Sequence, residues 1–585
     1  MPRVLICICV FAVGLFASAG ILKANDEQEP LHQQIDKLIE SHSPGFNNVA
    51  SPVCTDSTFL RRVTLDLTAG VPTAAQARQF MSEKGDVQAK RLKAVEGLLA
   101  SPAYARRMQY FLDWILMERR TSQNVKASDW QQYLYQAASE NRSWDQLARE
   151  ILADGGGDPK TRARARFYLD REFDLVVVTR DVGRIFLGKD LECAQCHNHP
   201  AVDAYLQRHY HGLKAFLGRS YLFTDPKSKQ KSLGEKAEGD VTFTSAFDDS
   251  EGKTSPRVLD LPEIVDPDGT LKKYVTKPSK TARGVPKYSR RGQLGTAVTA
   301  TGNRAFRENI ANRLWAMMMG RGLVEPLDLS HDANPASHPQ LLALMADALH
   351  EHQYDMKWFL RELAQTRTYQ RSSIVTGSDP PASNRQFGVG LLKPLSPEQF
   401  AWATMRATGF LATVEASELK KLKSTKDKQP QKSSAEDGKP AAAGTTVTGK
   451  NPTAVEVDRA VSAAVESHVK TFVTQFAADG GQRTSFSATA PQALFLVNGG
   501  LVREWLKPNG RNLIGRLAMM DDSAAIAEEL YMHIFHRPPT DLERREVGEY
   551  LAGVTATDPG SGSRLAALQE LASALLLSAE FRFNH

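Results

Sequence analysis

The chain has 585 residues, of which 42% are hydrophobic and 24% are charged. A chain of this length is too long to pack around one hydrophobic core, and it predicts roughly two to four packed units. Lysine and arginine exceed aspartate and glutamate by 73 to 67, a net charge of only +6, and without a basic block we expect no nucleic-acid partner. Five cysteines in so long a chain exclude a scaffold held together by disulfides.

The N-terminal segment predicts export. Residues 1–3 carry a positive charge, residues 4–16 form an apolar run, and residues 17–19 are an Ala-Ser-Ala cleavage site. This arrangement is typical of a secretory signal peptide, so we expect residues 1–19 to be removed and the mature protein to be periplasmic or extracellular. An uncleaved membrane anchor is the alternative, because apolar residues continue to Leu22. No later segment is long and apolar enough to predict a membrane span.

The remaining chain predicts a mainly α protein, built from short antiparallel helices. Helical periodicity is clear at residues 59–67, 104–117 and 173–187. Ser101 and Pro102 provide a cap and a first-turn proline before the second segment, and Gly188 ends the last one. Three candidate N-caps precede the first segment: Asp56, Ser57 and Thr58.

Composition divides the mature chain into domains. Residues 20–224 are predicted to form an N-terminal helical domain. Residues 225–289 are rich in Lys, Ser, Gly, Asp and Pro with short alternating runs, and predict a small β-containing or irregular connector. Residues 290–585 are predicted to form a C-terminal helical domain. Within it, a charged tract without aromatic periodicity, at about residues 418–450, predicts a disordered insertion.

One motif carries recognisable chemistry, a Cys-x-x-Cys-His sequence formed by Cys193, Cys196 and His197. At this spacing two thiols add to the vinyl groups of a haem, and the adjacent imidazole ligates the iron. Random placement of five cysteines and fourteen histidines would give about 0.001 matches in this chain. We therefore predict haem c attachment at Cys193 and Cys196, with His197 as axial ligand, in an exported redox or electron-transfer protein.

Two other interpretations of the motif stay open. His197 and His199, together with the two motif cysteines, could bind zinc or another divalent metal, although a single Cys-x-x-Cys pair is an incomplete tetrahedral site. The thiols could instead form a disulfide, which an oxidising compartment permits. Either would suit a helical interaction or scaffold protein. A metal-dependent extracellular hydrolase is a weaker alternative, and the sequence leaves enzymatic activity undecided. Cys54 is predicted to be a small buried residue.

Several clusters mix charged and aromatic residues on predicted helices. Asp113 lies near Arg119 in sequence, and Arg313 lies two residues before Trp315. We interpret both clusters as ion pairs between packed helices rather than as binding sites. His338 lies at the start of a predicted helix, and we assign it no catalytic role.

The ordered series of motifs resembles a family of large secreted planctomycete proteins. The N-terminal motifs resemble its cytochrome C-like domain of unknown function, of the type called PSCyt: residues 59–68, 71–73, 98–104, 186–188 and 193–200. Later motifs resemble the PSD-type domain of unknown function that usually follows it: residues 312–315, 320–324, 334–339, 366–370, 490–494, 536–540 and 580–585. The resemblance implies a sulfatase-like secreted protein as a partner, whereas the haem prediction implies a protein redox partner.

The chain departs from the family pattern at three places. Asn198 stands where the family usually has Asp, and Ala201 stands where it has an aromatic residue. The family also often has a histidine near Met317, which this chain lacks. These departures put in doubt a role for the carboxylate and a metal site shared by the two domains.

Overall fold

The computed structural model describes residues 29–247, 251–267, 273–375, 384–428, 451–477, 489–557 and 560–585. Within these ranges the protein is mainly α, which confirms the predicted fold class. The predicted signal peptide lies outside the described residues. No helix in the described ranges has the length and apolar character needed to cross a bilayer.

From residue 29 to the first strand, the described chain forms eleven α-helices: α1 (Leu31–His42), α2 (Phe46–Val49), α3 (Asp56–Thr68), α4 (Ala74–Ser82), α5 (Val87–Ala100), α6 (Pro102–Met117), α7 (Ala127–Ser139), α8 (Trp144–Ala153), α9 (Arg166–Leu169), α10 (Leu175–Leu187) and α11 (Gln207–Leu217). Two short 3-10 turns accompany them, at Arg162–Ala165 and Cys193–Gln195.

The C-terminal half is also helical: α12 (Arg290–Val298), α13 (Arg304–Met319), α14 (Pro339–Glu351), α15 (Met356–Gln365), α16 (Arg367–Gln370), α17 (Pro397–Ala407), α18 (Phe410–Lys428), α19 (Ala454–Phe476), α20 (Ala490–Asn498), α21 (Gly500–Leu506), α22 (Leu513–Leu517), α23 (Ser523–Ile534), α24 (Asp541–Thr557), α25 (Ser561–Leu577) and α26 (Ala579–Arg582). Helix α18 includes residues 418–428, which the sequence assigns to the disordered insertion. The remainder of that predicted insertion, from residue 429 to residue 450, lies outside the described residues.

The strands form antiparallel pairs, and the described residues contain no larger sheet. Three hairpins of the described residues lie at the predicted connector, although β1 precedes residue 225: β1 (Ser220–Thr224) with β2 (Lys231–Glu235), β3 (Val241–Thr244) with β4 (Glu251–Thr254), and β5 (Tyr274–Thr276) with β6 (Val285–Pro286). A fourth pair joins β7 (Lys393–Pro394) to β8 (Phe583–Asn584). This last pair brings the end of the chain back beside residues almost two hundred positions earlier.

Local sequence signals explain most helix boundaries. Helix α6 begins after Ser101 with Pro102 in its first turn, as predicted. The N-cap of helix α3 is Thr55, one residue before the expected caps, because the Thr55 side chain accepts a hydrogen bond from the Thr58 amide. Its C-cap is Ala69, whose φ of 61° supplies the left-handed turn.

The helices surround two hydrophobic cores. The larger core combines helices from both predicted helical domains, and its centre is a stack in which the Trp144 ring lies between Phe186, at 5.8 Å, and Phe306, at 6.3 Å. All three residues are fully buried. The second core joins α3 and α17 to the helices that close the chain, around Phe400 and Phe472. The larger core contains residues from helices on both sides of the connector, so the two helical regions share one hydrophobic core.

Candidate functional site

The Cys-x-x-Cys-His loop follows helix α10. The Asp174 side chain caps the start of this helix by accepting hydrogen bonds from the amides of Val176 and Val177. The helix ends at Gly188, which has a φ of 66°. A Cβ at Gly188 would lie 2.9 Å from Asn309 Oδ1, so the position admits no larger residue without displacement. The chain then pairs with a distant segment and enters the 3-10 turn of the motif.

Both motif cysteines are free thiols exposed to solvent. Between them Ala194 is fully buried, and its amide donates to the Leu191 carbonyl at 3.0 Å. The turn is therefore anchored by its small apolar residue, while Cys193 and Cys196 stay accessible to a reagent or a prosthetic group.

His197 is held in an orientation that suits a metal ligand. Its Nδ1 donates a hydrogen bond to the Asn198 carbonyl oxygen at 2.7 Å. Because that bond fixes the proton on Nδ1, the lone pair of the neutral ring lies on Nε2, the usual geometry of a ligating histidine. The ring of Phe247 stacks on the imidazole at 4.1 Å. Phe247 itself is 69% exposed, so an apolar ring lies at the surface beside the motif.

His199 has the opposite hydrogen-bonding arrangement. Its Nδ1 accepts the backbone amide of Ala201 at 3.1 Å, which places the proton of the neutral ring on Nε2. Its own amide donates to the Tyr205 carbonyl at 2.8 Å. The hydrogen bonds thus favour His197 over His199 as a ligand through Nε2.

Helix α11 and the β3–β4 hairpin form hydrogen bonds with the loop. The Gln195 carbonyl accepts a hydrogen bond from His211 Nε2 at 3.0 Å. Burial lowers the pKa of His211 to about 4, so this residue donates as a neutral ring at pH 7. Asn198 Oδ1 accepts the Gln207 amide at 2.8 Å, and the Cys196 carbonyl accepts the Ala246 amide at 2.8 Å. The amide oxygen of Asn198 thus occupies a hydrogen-bonding position that a carboxylate oxygen would also satisfy.

A segment of the C-terminal region borders the same loop, and the sequence does not predict this contact. The Asp190 amide donates to the Asp328 carbonyl at 2.8 Å, and the Ser330 amide donates to the Gly188 carbonyl at 2.9 Å. Lys189 Nζ donates to the Ser330 carbonyl at 2.7 Å. No short motif indicates this pairing, because its partners are about 140 residues apart.

The described residues contain no group of three or more His, Cys, Asp and Glu side chains arranged to hold a metal ion. Cys193, Cys196, His197 and His199 are therefore not gathered around a single point, and metal binding by His197 and His199 stays a prediction. The motif does fit a haem attached through two thioethers, since both thiols are free and exposed and His197 presents Nε2. Cys54 is buried, as predicted.

Asp113 and Arg119 form the predicted ion pairs, whereas Arg313 bonds to Asn309 and the Arg184 carbonyl and pairs with no described carboxylate. Asp113 accepts the Trp130 indole N–H at 2.7 Å and pairs with Arg166 at 3.3 Å. Arg119 binds both carboxylate oxygens of Glu398, at 2.6 and 3.2 Å. His338 occupies the N-cap position of α14, as predicted from the sequence, but its side chain makes no capping hydrogen bond.

The fold and the loop define a mainly α protein with two helical regions and a surface Cys-x-x-Cys-His motif. Residues 34–221 match the family described as a protein of unknown function (DUF1549), PSCyt2, and residues 290–551 match the family described as a protein of unknown function (DUF1553), PSD1. The chain therefore combines these two domains in this order, which confirms the predicted family. The comparisons with curated proteins and with solved structures gave no match.

Proposed function

We propose that the protein is an exported c-type haem protein that transfers electrons, with haem attached at Cys193 and Cys196 and ligated by His197. The observation that carries the proposal is the hydrogen bond from His197 Nδ1 to the Asn198 carbonyl. It leaves Nε2 with a free lone pair next to two exposed thiols. Haem, when bound, supplies a one-electron redox couple.

The residues of the loop would have separate roles in this function. Each cysteine Sγ–H adds across one vinyl group, so that an S–C bond forms and the proton goes to the second vinyl carbon. His211 and Gln207 fix the loop backbone through Gln195 and Asn198, which sets the direction of the His197 ring. Phe247 supplies an apolar ring on the exposed side.

The proposal includes export and a protein partner. Residues 1–19 would direct the chain out of the cytoplasm. Attachment of c-type haem takes place outside the cytoplasm. The exposed loop would exchange electrons with a secreted redox protein. The sulfatase-like protein that the family resemblance implies would be a partner in the same compartment.

The test is expression in a host that has haem-maturation machinery, followed by a reduced pyridine spectrum of the purified protein. We expect covalent haem in the wild type and in Cys54→Ser, which alters the other cysteine of the mature chain. Cys193→Ser and Cys196→Ser should each lose a thioether bond, and the double variant should be colourless. A colourless wild type would contradict the proposal, and bound zinc in elemental analysis would favour the metal alternative.

A further inference from the structure

A second region of chemical interest lies inside the molecule, where the two helical regions meet. It is a cavity of about 260 Å³, lined by residues of α3, α6, α13, β7, α17 and β8. One wall is aromatic, formed by Tyr110, Phe111 and Trp114 of α6. The polar side chains of the lining come from both halves of the chain. A cavity with an apolar wall and a few convergent polar groups is the usual form of a small-molecule site.

The described lining carries more positive than negative charge. Five cations line the cavity: Arg107, Arg119, Arg313, Arg321 and Lys393. Three carboxylates accompany them: Asp66, Glu325 and Glu398. The excess of two cations favours an anionic occupant, since buried charges are normally paired.

Two of these cations already have partners within the protein. Arg119 is bound to Glu398 through both of its oxygens. Lys393 Nζ donates to Asp66 Oδ2 at 2.5 Å and to the Met318 carbonyl at 2.6 Å. Burial lowers the pKa of Lys393 to about 8, so the ammonium is still largely protonated at pH 7 and its charge is shared with Asp66.

The other three cations, Arg107, Arg313 and Arg321, form no ion pair with a described carboxylate. Arg107 Nε donates to the Asp66 carbonyl at 3.1 Å. Arg313 is 1% exposed; its Nε donates to Asn309 at 3.0 Å and its Nη2 to the Arg184 carbonyl at 3.0 Å. Its buried Nη1 has no hydrogen-bond partner within the described part of the chain. Arg321 makes no ion pair with any described residue. A buried guanidinium N–H without an acceptor is rare and indicates a missing partner.

Asn584 adds a second buried and unpaired atom on the same lining. It is 2% exposed, and its Nδ2 donates to Asp66 Oδ1 at 2.9 Å. Its Oδ1 accepts no hydrogen bond from the described residues. The β7–β8 pairing fixes Asn584 directly opposite Lys393. The lining therefore offers an unused donor and an unused acceptor, both fixed by secondary structure.

We propose that this cavity binds a small organic anion, a carboxylate, phosphate or sulfate group on a ring-sized apolar body. The anionic group would accept hydrogen bonds from Arg313 Nη1 and the Arg321 guanidinium, neither of which has an acceptor among the described residues. The ring would lie against Tyr110, Phe111 and Trp114. A hydroxyl or N–H on the ligand would donate to Asn584 Oδ1. This inference is independent of the haem proposal, because no motif residue lines the cavity.

Calorimetric titration of the full mature chain tests the inference with four probes: benzoate, phenyl phosphate, phenyl sulfate and benzyl alcohol. At least one of the anions should bind ten times more tightly than the neutral alcohol. Arg321→Gln should weaken that binding at least tenfold, because it removes a cation that no protein group engages. The matched control is Arg307→Gln on α13, which breaks an ion pair with Asp347 away from the cavity and should change affinity less than twofold.

The three anions distinguish the possible acidic groups, and the variants distinguish a site from weak surface binding. Both variants should keep the circular dichroism spectrum and melting temperature of the wild type, which separates lost binding from lost folding. The inference is overturned if no anion binds more tightly than benzyl alcohol, or if Arg321→Gln and Arg307→Gln bind equally well. The Cys193→Ser/Cys196→Ser double variant should bind the anion as the wild type does, whatever its haem content.

Discussion

The Cys-x-x-Cys-His loop and the internal cavity differ in how the chain assembles their chemistry. The loop places its two thiols and its imidazole within five consecutive residues, and the thiols are exposed. The cavity draws Asp66, Arg313, Lys393 and Asn584 from four distant parts of the sequence, and all but the partly exposed Lys393 are buried. The segment around Leu327 and Asp328 connects the two, since Leu327 lines the cavity and the Asp328 carbonyl accepts the Asp190 amide near the loop. A local motif thus indicates chemistry at the surface, whereas the buried charges become visible only in three dimensions.

The largest expected effect concerns the charges of the cavity. Asp66 is 2% exposed and accepts hydrogen bonds from Lys393, from the Tyr369 hydroxyl at 2.8 Å and from Asn584. Asp66→Ala removes the partner of a buried ammonium, and should lower the free energy of unfolding by about 3–5 kcal/mol. Urea denaturation measures the change. The control is Asp541→Ala at an exposed ion pair with Arg544, where we expect a change below about 0.5 kcal/mol; equal effects would show that the cavity charges are not coupled.

Gly188 tests how strictly the loop is positioned. Its φ is 66°, and an added Cβ would lie 2.9 Å from Asn309 Oδ1. Gly188→Ala should therefore lower the free energy of unfolding by about 1–3 kcal/mol, measured by thermal or urea denaturation. Gly97→Ala in α5 is the matched control, because a Cβ there meets no atom within 4 Å. That change should raise stability by about 0.5–1 kcal/mol, and a stabilising Gly188→Ala would refute the positional argument.

The pH dependence of the free energy of unfolding tests the burial of the His338 side chain. Its side chain is buried, and its ring lies 3.9 Å from the His42 ring at an interplanar angle of 40°. Burial and, to a lesser extent, the charge of His42 lower the pKa of His338 to about 4. Between pH 6.5 and 4 the unfolded chain binds the proton more readily, so wild-type stability should fall with falling pH. His338→Asn should reduce that loss by about 1–2 kcal/mol. Denaturation curves at pH 7, 5.5 and 4 measure it, and parallel pH profiles for the two proteins would exclude the effect.

The smallest expected effect addresses a departure from the family pattern. Asn198 Oδ1 accepts the Gln207 amide in the first turn of α11. Asn198→Asp keeps the acceptor and adds a negative charge near the helix N-terminus, which should stabilise the protein by about 0.3–1 kcal/mol at pH 7. Asn198→Ala removes the acceptor and should cost about 1 kcal/mol. Melting temperatures of the three proteins give the order, and a destabilising Asp would contradict the hydrogen-bond assignment.

Much of the fold follows from local sequence signals. Ser101 and Pro102 start α6 as predicted, and Gly188 ends α10. Thr55 caps α3, although Asp56 has an equally good capping side chain, because the Thr55 oxygen is the one that accepts the Thr58 amide. Sequence alone does not decide between adjacent candidates. The start of the predicted disordered insertion differs, since α18 extends to Lys428; charged residues such as Lys and Glu are good helix formers, and composition alone does not separate the two states.

The candidate site, too, could be predicted only in part from the sequence. The Cys-x-x-Cys-His motif is visible in sequence, but the difference between His197 and His199 depends on which backbone group each Nδ1 faces. The sequence predicts ion pairs for the clusters of Arg119 and Arg313. The prediction is confirmed for Arg119, but Arg313 bonds to neutral acceptors instead. Their place on one cavity with Lys393 and Asn584 depends on the β7–β8 pairing, a contact between residues far apart that no periodicity indicates.

The most direct test of the proposed function is the intact mass of the mature protein purified from a host with haem-maturation machinery. The account predicts a mass increased by one haem in the wild type and in Cys54→Ser. It predicts the bare chain in the Cys193→Ser/Cys196→Ser double variant. A folded wild-type protein with the mass of the bare chain would contradict the assignment of Cys193, Cys196 and His197 to haem.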